Sequence, residues 1–123
     1  MQKCILIADD SETVRTIIRT FLESQAGFEV CGEAVDGVDA IEKAKALQPD
    51  LIILDLAMPR INGAAAASIL KGMMPDVPII LFTIYEEVMV KSLASAIGVD
   101  LVLSKSDGMG KMVQHVQHLL AAS

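Results

Sequence analysis

Residues 50–55 read DLIILD, four consecutive apolar residues between two aspartates. A run this short and unbroken does not carry helical spacing, and a strand without polar alternation must be covered on both faces, as in a parallel sheet between layers of helices. Similar runs recur at Lys3–Ala8 (KCILIA), Val77–Thr83 (VPIILFT) and Asp100–Lys105 (DLVLSK), and Phe28–Ala34 forms a further strand. Between the strands apolar residues fall at helical spacing: Val14, Ile17, Ile18, Phe21 and Leu22; then Val38, Ile41, Ala44 and Leu47, capped by Asp36 and stopped by Pro49. Asn62 and Gly63 open an alanine-rich helix. Met89, Leu93, Ala96 and Ile97 mark a fourth helix, and Met109, Met112, Val113, Val116 and Leu120 a fifth. Five strands alternating with five helices predict an α/β, doubly wound domain filling residues 1–123.

With 123 residues, the chain is long enough to fold around its own core without metal or disulfide support. Ten basic against sixteen acidic side chains leave a net charge of −6, which disfavours direct contact with nucleic acid or anionic lipid. Hydrophobic residues make up 53% of the chain, but the longest uncharged stretch, Met112–Ser123, is shorter than the roughly 20 residues of a spanning helix. No secretory cleavage pattern follows the first apolar run, so a cytoplasmic address is expected. Cys4 and Cys31 are expected as buried, reduced thiols in that compartment.

Ligands of open α/β sheets sit beyond the carboxyl ends of the strands, and those ends are polar here. Strand one runs into Asp9 and Asp10, strand three into Asp55, strand four into Thr83 and strand five into Lys105. Converging aspartates repel unless a cation joins them, and hard oxygen donors suit Mg²⁺. The loop after strand one, DDSET, has no glycine, which removes the P-loop, dinucleotide and flavin-type phosphate sites. A carboxylate that itself receives a phosphoryl group remains, with Asp55 as the nucleophile.

Over its whole length the sequence resembles the receiver domains of two-component response regulators. The resemblance rests on the pair Asp9–Asp10, on DLAMPRING from Asp55 to Gly63, and on Thr83 and Lys105 closing their strands. It implies a flavodoxin-like sheet of strand order 2-1-3-4-5 with helices on both faces. It further implies that Asp55 accepts phosphate from a histidine kinase in a Mg²⁺-dependent reaction, the chain catalysing only its own phosphorylation and dephosphorylation. Asp10, Asp55 and the Ala57 carbonyl would ligate the metal, Asp9 would assist through water, Lys105 would pair with the phosphoryl group and Thr83 would hydrogen-bond it. The output would reach a partner protein or output domain, or a second copy of the chain, through helix 4, strand 5 and helix 5.

Three residues depart from the family pattern. Val102 stands where an aromatic switch residue is usual, Ile84 where a small residue follows the threonine, and Ser106 where proline follows the lysine. Ser106 is shared with receivers attached to helix-turn-helix domains, implying control of transcription by a DNA-binding part outside this chain. The competing reading is a degenerate receiver acting as a phosphorylation-independent interaction module. On the rim of the site, Ala57 offers no group to orient water and Tyr85, with Ile84 beside it, is expected to exclude water, so the phosphorylated state should be long-lived.

Overall fold

A computed structural model of the protein describes residues 2–84, 92 and 95–121. Its strands are β1 (Lys3–Ala8), β2 (Phe28–Ala34), β3 (Leu51–Leu54), β4 (Ile79–Thr83) and β5 (Leu101–Ser104). The helices are α1 (Glu12–Glu23), α2 (Gly37–Leu47), α3 (Gly63–Met73) and, last in the chain, α4 (Met109–Ala121). Residues 92 and 95–97 are helical as expected, whereas Tyr85, Met89 and Leu93 lie outside the described residues.

All strand pairs are parallel, in the order β2-β1-β3-β4-β5. The apolar runs serve two cores at once, because successive side chains of a strand point to opposite faces. Leu6, Ala8, Ile52, Leu54, Ile79 and Leu81 pack with Ala40 and Ala44 of α2 and Ala67 and Leu70 of α3. Their neighbours Ile5, Ile7, Ile53, Ile80 and Phe82 pack with Ile18 and Leu22 of α1 and with Met112 and Val116 of α4. This double burial is why the strands read as unbroken apolar runs.

Helix starts follow the sequence. Asp36 accepts the Asp39 N–H at 2.8 Å and Asn62 the Ala65 N–H at 2.9 Å, each satisfying an orphan donor of the first turn. Strand ends are shorter than expected: Lys105 opens a 3-10 turn (Lys105–Asp107) rather than closing β5.

Cys4 and Cys31 differ from expectation. They are partly buried and joined in a disulfide between β1 and β2. The β1–β2 register shifts between Ile5 and Leu6, and the resulting bulge at Cys31 leaves the two Cα atoms 5.3 Å apart, within disulfide reach.

A Cβ on Gly63 would overlap the Asp55 carbonyl oxygen, whereas one on Gly72, in the same helix, would meet nothing within 4 Å. Gly63→Ala is therefore expected to cost about 1–3 kcal/mol, the range for forced overpacking. Gly72→Ala should instead stabilise by up to about 1 kcal/mol through helix propensity. Urea unfolding of both variants checks this pair; equal effects would contradict it.

Candidate phosphoryl-acceptor site

Parallel topology brings the ends of β1 and β3 side by side. The Asp55 N–H bonds the Ala8 carbonyl at 2.8 Å, so the chain leaves β3 for its loop where β1 gives way to Asp9 and Asp10. Ligand atoms of Asp9, Asp10 and Asp55 lie within 4.8 Å of one another. Asp9 and Asp55 are 2% and 5% exposed, while Asp10 faces solvent.

Lys105 reaches this group from the far side of the sheet. Its Nζ donates to Asp9 Oδ2 at 2.8 Å and stands 3.5 Å from Asp55 Oδ1. Asp9 Oδ1 accepts the Ser11 N–H at 2.9 Å, and Asp55 Oδ1 accepts the Ala57 N–H at 3.4 Å. Thr83 is fully buried at the end of β4, where it pairs with Ser104 beside Lys105. Ala57 is exposed on the loop after Asp55, and Ile84 is 72% exposed, so its side chain does not fold over the site. Tyr85, the other expected rim residue, lies outside the described residues.

Burial pushes the Asp55 carboxyl above the ordinary carboxylate range, and the Asp9 carboxylate pushes the same way, against the pull of Lys105. For Lys105, burial works against the ammonium, but the hydrogen bond to Asp9 and the charges of Asp55 and Asp9 outweigh it and raise its pKa. The arrangement holds an anion-stabilising ammonium against a carboxyl whose charge is costly when no further cation is present.

Two arginines support these loops, and neither stands at a strand end. Arg60, with φ of 65°, donates to both carboxylate oxygens of Asp36 at 2.8 and 3.0 Å, tying the loop after Asp55 to the start of α2. That guanidinium holds the Asp36 carboxyl below its usual range. Arg15 donates to the Asp9 carbonyl at 2.6 Å and to Glu33 Oε1 at 2.9 Å. The left-handed backbone at 60, where glycine or asparagine is favoured, offered no signal in an arginine.

The family model described as response regulator receiver domain matches residues 5–117. The chain belongs to the response regulator receiver domain family. It is a receiver domain of the two-component signalling type, with the five-stranded flavodoxin-like fold of that family. It is 32% identical to the response regulator GacA of Pseudomonas aeruginosa over 117 residues, covering 95% of this chain and 55% of that protein. It is 47% identical to protein-glutamate methylesterase/protein-glutamine glutaminase 1 of Geobacter sulfurreducens over 74 residues, covering 60% of this chain and 20% of that protein. Among solved structures, a LuxR-family two-component response regulator from Aurantimonas sp. SI85-9A1 superimposes with a TM-score of 0.93 at 25% identity, covering 99% of this receiver and 87% of that chain. The receiver thus spans between a fifth and about half the length of these curated relatives. No described helix is long and apolar enough to cross a membrane.

A carboxyl whose pKa is raised by folding favours the fold fully below its unfolded pKa, ordinarily 3.8, and loses that contribution as pH rises through the folded pKa. Asp55→Asn is neutral at every pH. It should therefore be more stable than the parent at neutral pH without divalent cation, by about 2–5 °C in Tm, with the difference closing in acid. Thermal unfolding across this pH range checks it; a lower Tm for the variant at neutral pH would contradict the electrostatic account.

Proposed function

We propose that residues 1–123 act as a phosphorylation-controlled switch in which Asp55 accepts a phosphoryl group from a phosphohistidine of a histidine kinase. The observation that carries this reading is the approach of Lys105 to Asp9 and Asp55 at the edge where three aspartates meet. A bond forms between an Asp55 carboxylate oxygen and phosphorus as the phosphorus–nitrogen bond to the imidazole breaks, and the imidazole leaves with the electron pair. Lys105, kept protonated by its carboxylate neighbours, moves its charge from Asp9 toward the transferring oxygens, where a fixed cation stabilises a metaphosphate-like transition state. Thr83 donates its hydroxyl to a phosphoryl oxygen of the product and reports its presence.

The donor set consists of hard carboxylate oxygens with one ligand, Asp10, open to water, which fits Mg²⁺ rather than a soft metal. Asp10, Asp55 and the Ala57 carbonyl are the proposed ligands, with Asp9 assisting through water. The metal would neutralise charge on the acceptor carboxylate and on the phosphoryl oxygens.

The chain catalyses only its own phosphorylation and dephosphorylation in this reading, works in the cytoplasm and makes no contact with nucleic acid. Similarity to a LuxR-family regulator and Ser106 after the lysine support an output in transcription, carried by a separate DNA-binding domain. The segment after β4, together with β5 and α4, is the proposed contact for that domain, a partner protein or a second copy. Met109 is partly exposed on this side, whereas Met112 is core.

Incubation with acetyl phosphate and Mg²⁺, followed by intact-mass analysis, tests the acceptor. One added phosphoryl group is expected, absent from Asp55→Asn and from samples treated with a chelator. Lys105→Ala should lower the rate of modification by about 10²–10³-fold, the range for removal of one preorganised charge-stabilising group. An unmodified parent chain would sink the switch reading in favour of the interaction module.

A further inference from the structure

Asp9 is held at four points: its N–H bonds the Ala34 carbonyl at 3.0 Å, Oδ1 accepts from Ser11, Oδ2 from Lys105, and its carbonyl from Arg15. The first three bonds come from β2, the helix cap and the turn after β5. The fourth comes from within α1, one turn beyond the cap, where the Arg15 N–H bonds the Ser11 carbonyl at 3.1 Å. A helical side chain leans back over the preceding turn, so the guanidinium returns to the loop from which its own helix starts.

The Arg15 side chain is 11% exposed, and a guanidinium taken out of water must be paired. Nε pairs with Glu33 on β2, and Nη1 is thereby aimed at the Asp9 carbonyl at 2.6 Å. Glu33 is itself fixed. Its Oε2 meets Arg19 Nη2 at 2.7 Å, its residue pairs with Ile7 in the β1–β2 ladder, and its carbonyl accepts from Lys43 of α2. Glu33 is shared between Arg15 and Arg19, so the cluster keeps a net positive charge whose field alone would not draw in a cation. What Arg15 adds is geometry: it clamps the peptide joining Asp9 to Asp10, and so sets where both carboxylates point.

We infer that Arg15 is a positioning residue, braced by Glu33, that orients Asp9 and Asp10 for a divalent cation. The inference rests on the pocket being the Mg²⁺-dependent acceptor proposed above. A planar two-pronged guanidinium spans the Glu33 carboxylate and the Asp9 carbonyl together, which a lysine ammonium on a flexible stem does not reproduce. Groups that orient metal ligands without touching the metal commonly set affinity by an order of magnitude or more.

Titration of the whole chain with Mg²⁺ alone, followed by amide chemical shifts and calorimetry, tests this. Arg15→Ala is expected to raise the Mg²⁺ dissociation constant about tenfold. Arg15→Lys, which keeps the charge and most of the stem and guards against a misfolded alanine variant, should raise it at least about threefold. Lys71→Ala removes a similarly shielded cation, paired with Asp100 at the opposite edge of the sheet, and should leave affinity within about twofold of the parent whatever it does to Tm. With acetyl phosphate, the Arg15 variants should lose rate at limiting Mg²⁺ and recover it at saturation. Parent-like Mg²⁺ affinity in Arg15→Lys, or in a folded Arg15→Ala, overturns the inference, as does an equal loss in Lys71→Ala. A parent chain that binds no Mg²⁺ overturns the pocket reading itself, and the brace with it.

Discussion

Like charge at the carboxyl edge of the sheet is the constraint to which much of this structure answers. Two unit charges about 4 Å apart repel by something on the order of 4 kcal/mol where the effective dielectric constant is near 20, a large fraction of a small domain's stability. Lys105 sets one ammonium against Asp9, 96 residues away in sequence, and against Asp55. The strand order makes this possible and also difficult. β3 and β4 lie between β1 and β5, so the cation must reach across two strand ends from the turn that follows β5. A long flexible stem suits that span, and so does a cation that can shift between two acceptors.

The loops around the acidic group are fixed by contacts too close for ordinary side chains. A Cβ at Gly37 would collide with the Ile61 carbonyl, and one at Gly63 with that of Asp55. The segment between Asp55 and α3 is thereby pressed onto the starts of α2 and α3, and Arg60 fastens it to Asp36. Asp36 works twice, capping α2 through one oxygen and receiving the guanidinium on both. The polar ends of the strands are thus supported from behind by helix termini, where the first-turn backbone donors lack partners within the helix.

The parts visible in the sequence were those governed by local chemistry. Unbroken apolar runs identified buried parallel strands, Asp36 and Asn62 marked helix starts, and Asp9, Asp10, Asp55, Thr83 and Lys105 followed as the polar residues at strand ends. The parts that were not visible depend on partners distant in sequence. Nothing local distinguishes Arg15 from Arg19, both on α1 and both bonded to Glu33, yet only Arg15 reaches the Asp9 carbonyl among the described contacts. The cysteines illustrate the same gap. Their spacing carries no pairing signal, and it is a one-residue bulge in β2 that brings Cys31 beside Cys4.

Val102 bears on how a change at the site would travel. It is buried among Ile79, Leu81 and Leu54 on the α2–α3 side of the sheet, and a β-branched side chain is stiff at χ1. Moving it out of that cluster would leave a cavity among the described residues, which opposes a rotamer switch at position 102. A displacement of Thr83, were a phosphoryl group to draw it, would reach Ser104 through the backbone pairing of the two residues. Ser104 is the cap of the turn that carries Lys105: its N–H donates to Asp107 Oδ2 at 3.2 Å, and its hydroxyl accepts the Ser106 N–H at 3.2 Å. The strand end that pairs with Thr83 and the turn that positions Lys105 are therefore one hydrogen-bonded unit. A phosphoryl group that engaged both side chains would act on that unit from two sides, and no aromatic rotamer is needed to carry the movement to the start of α4.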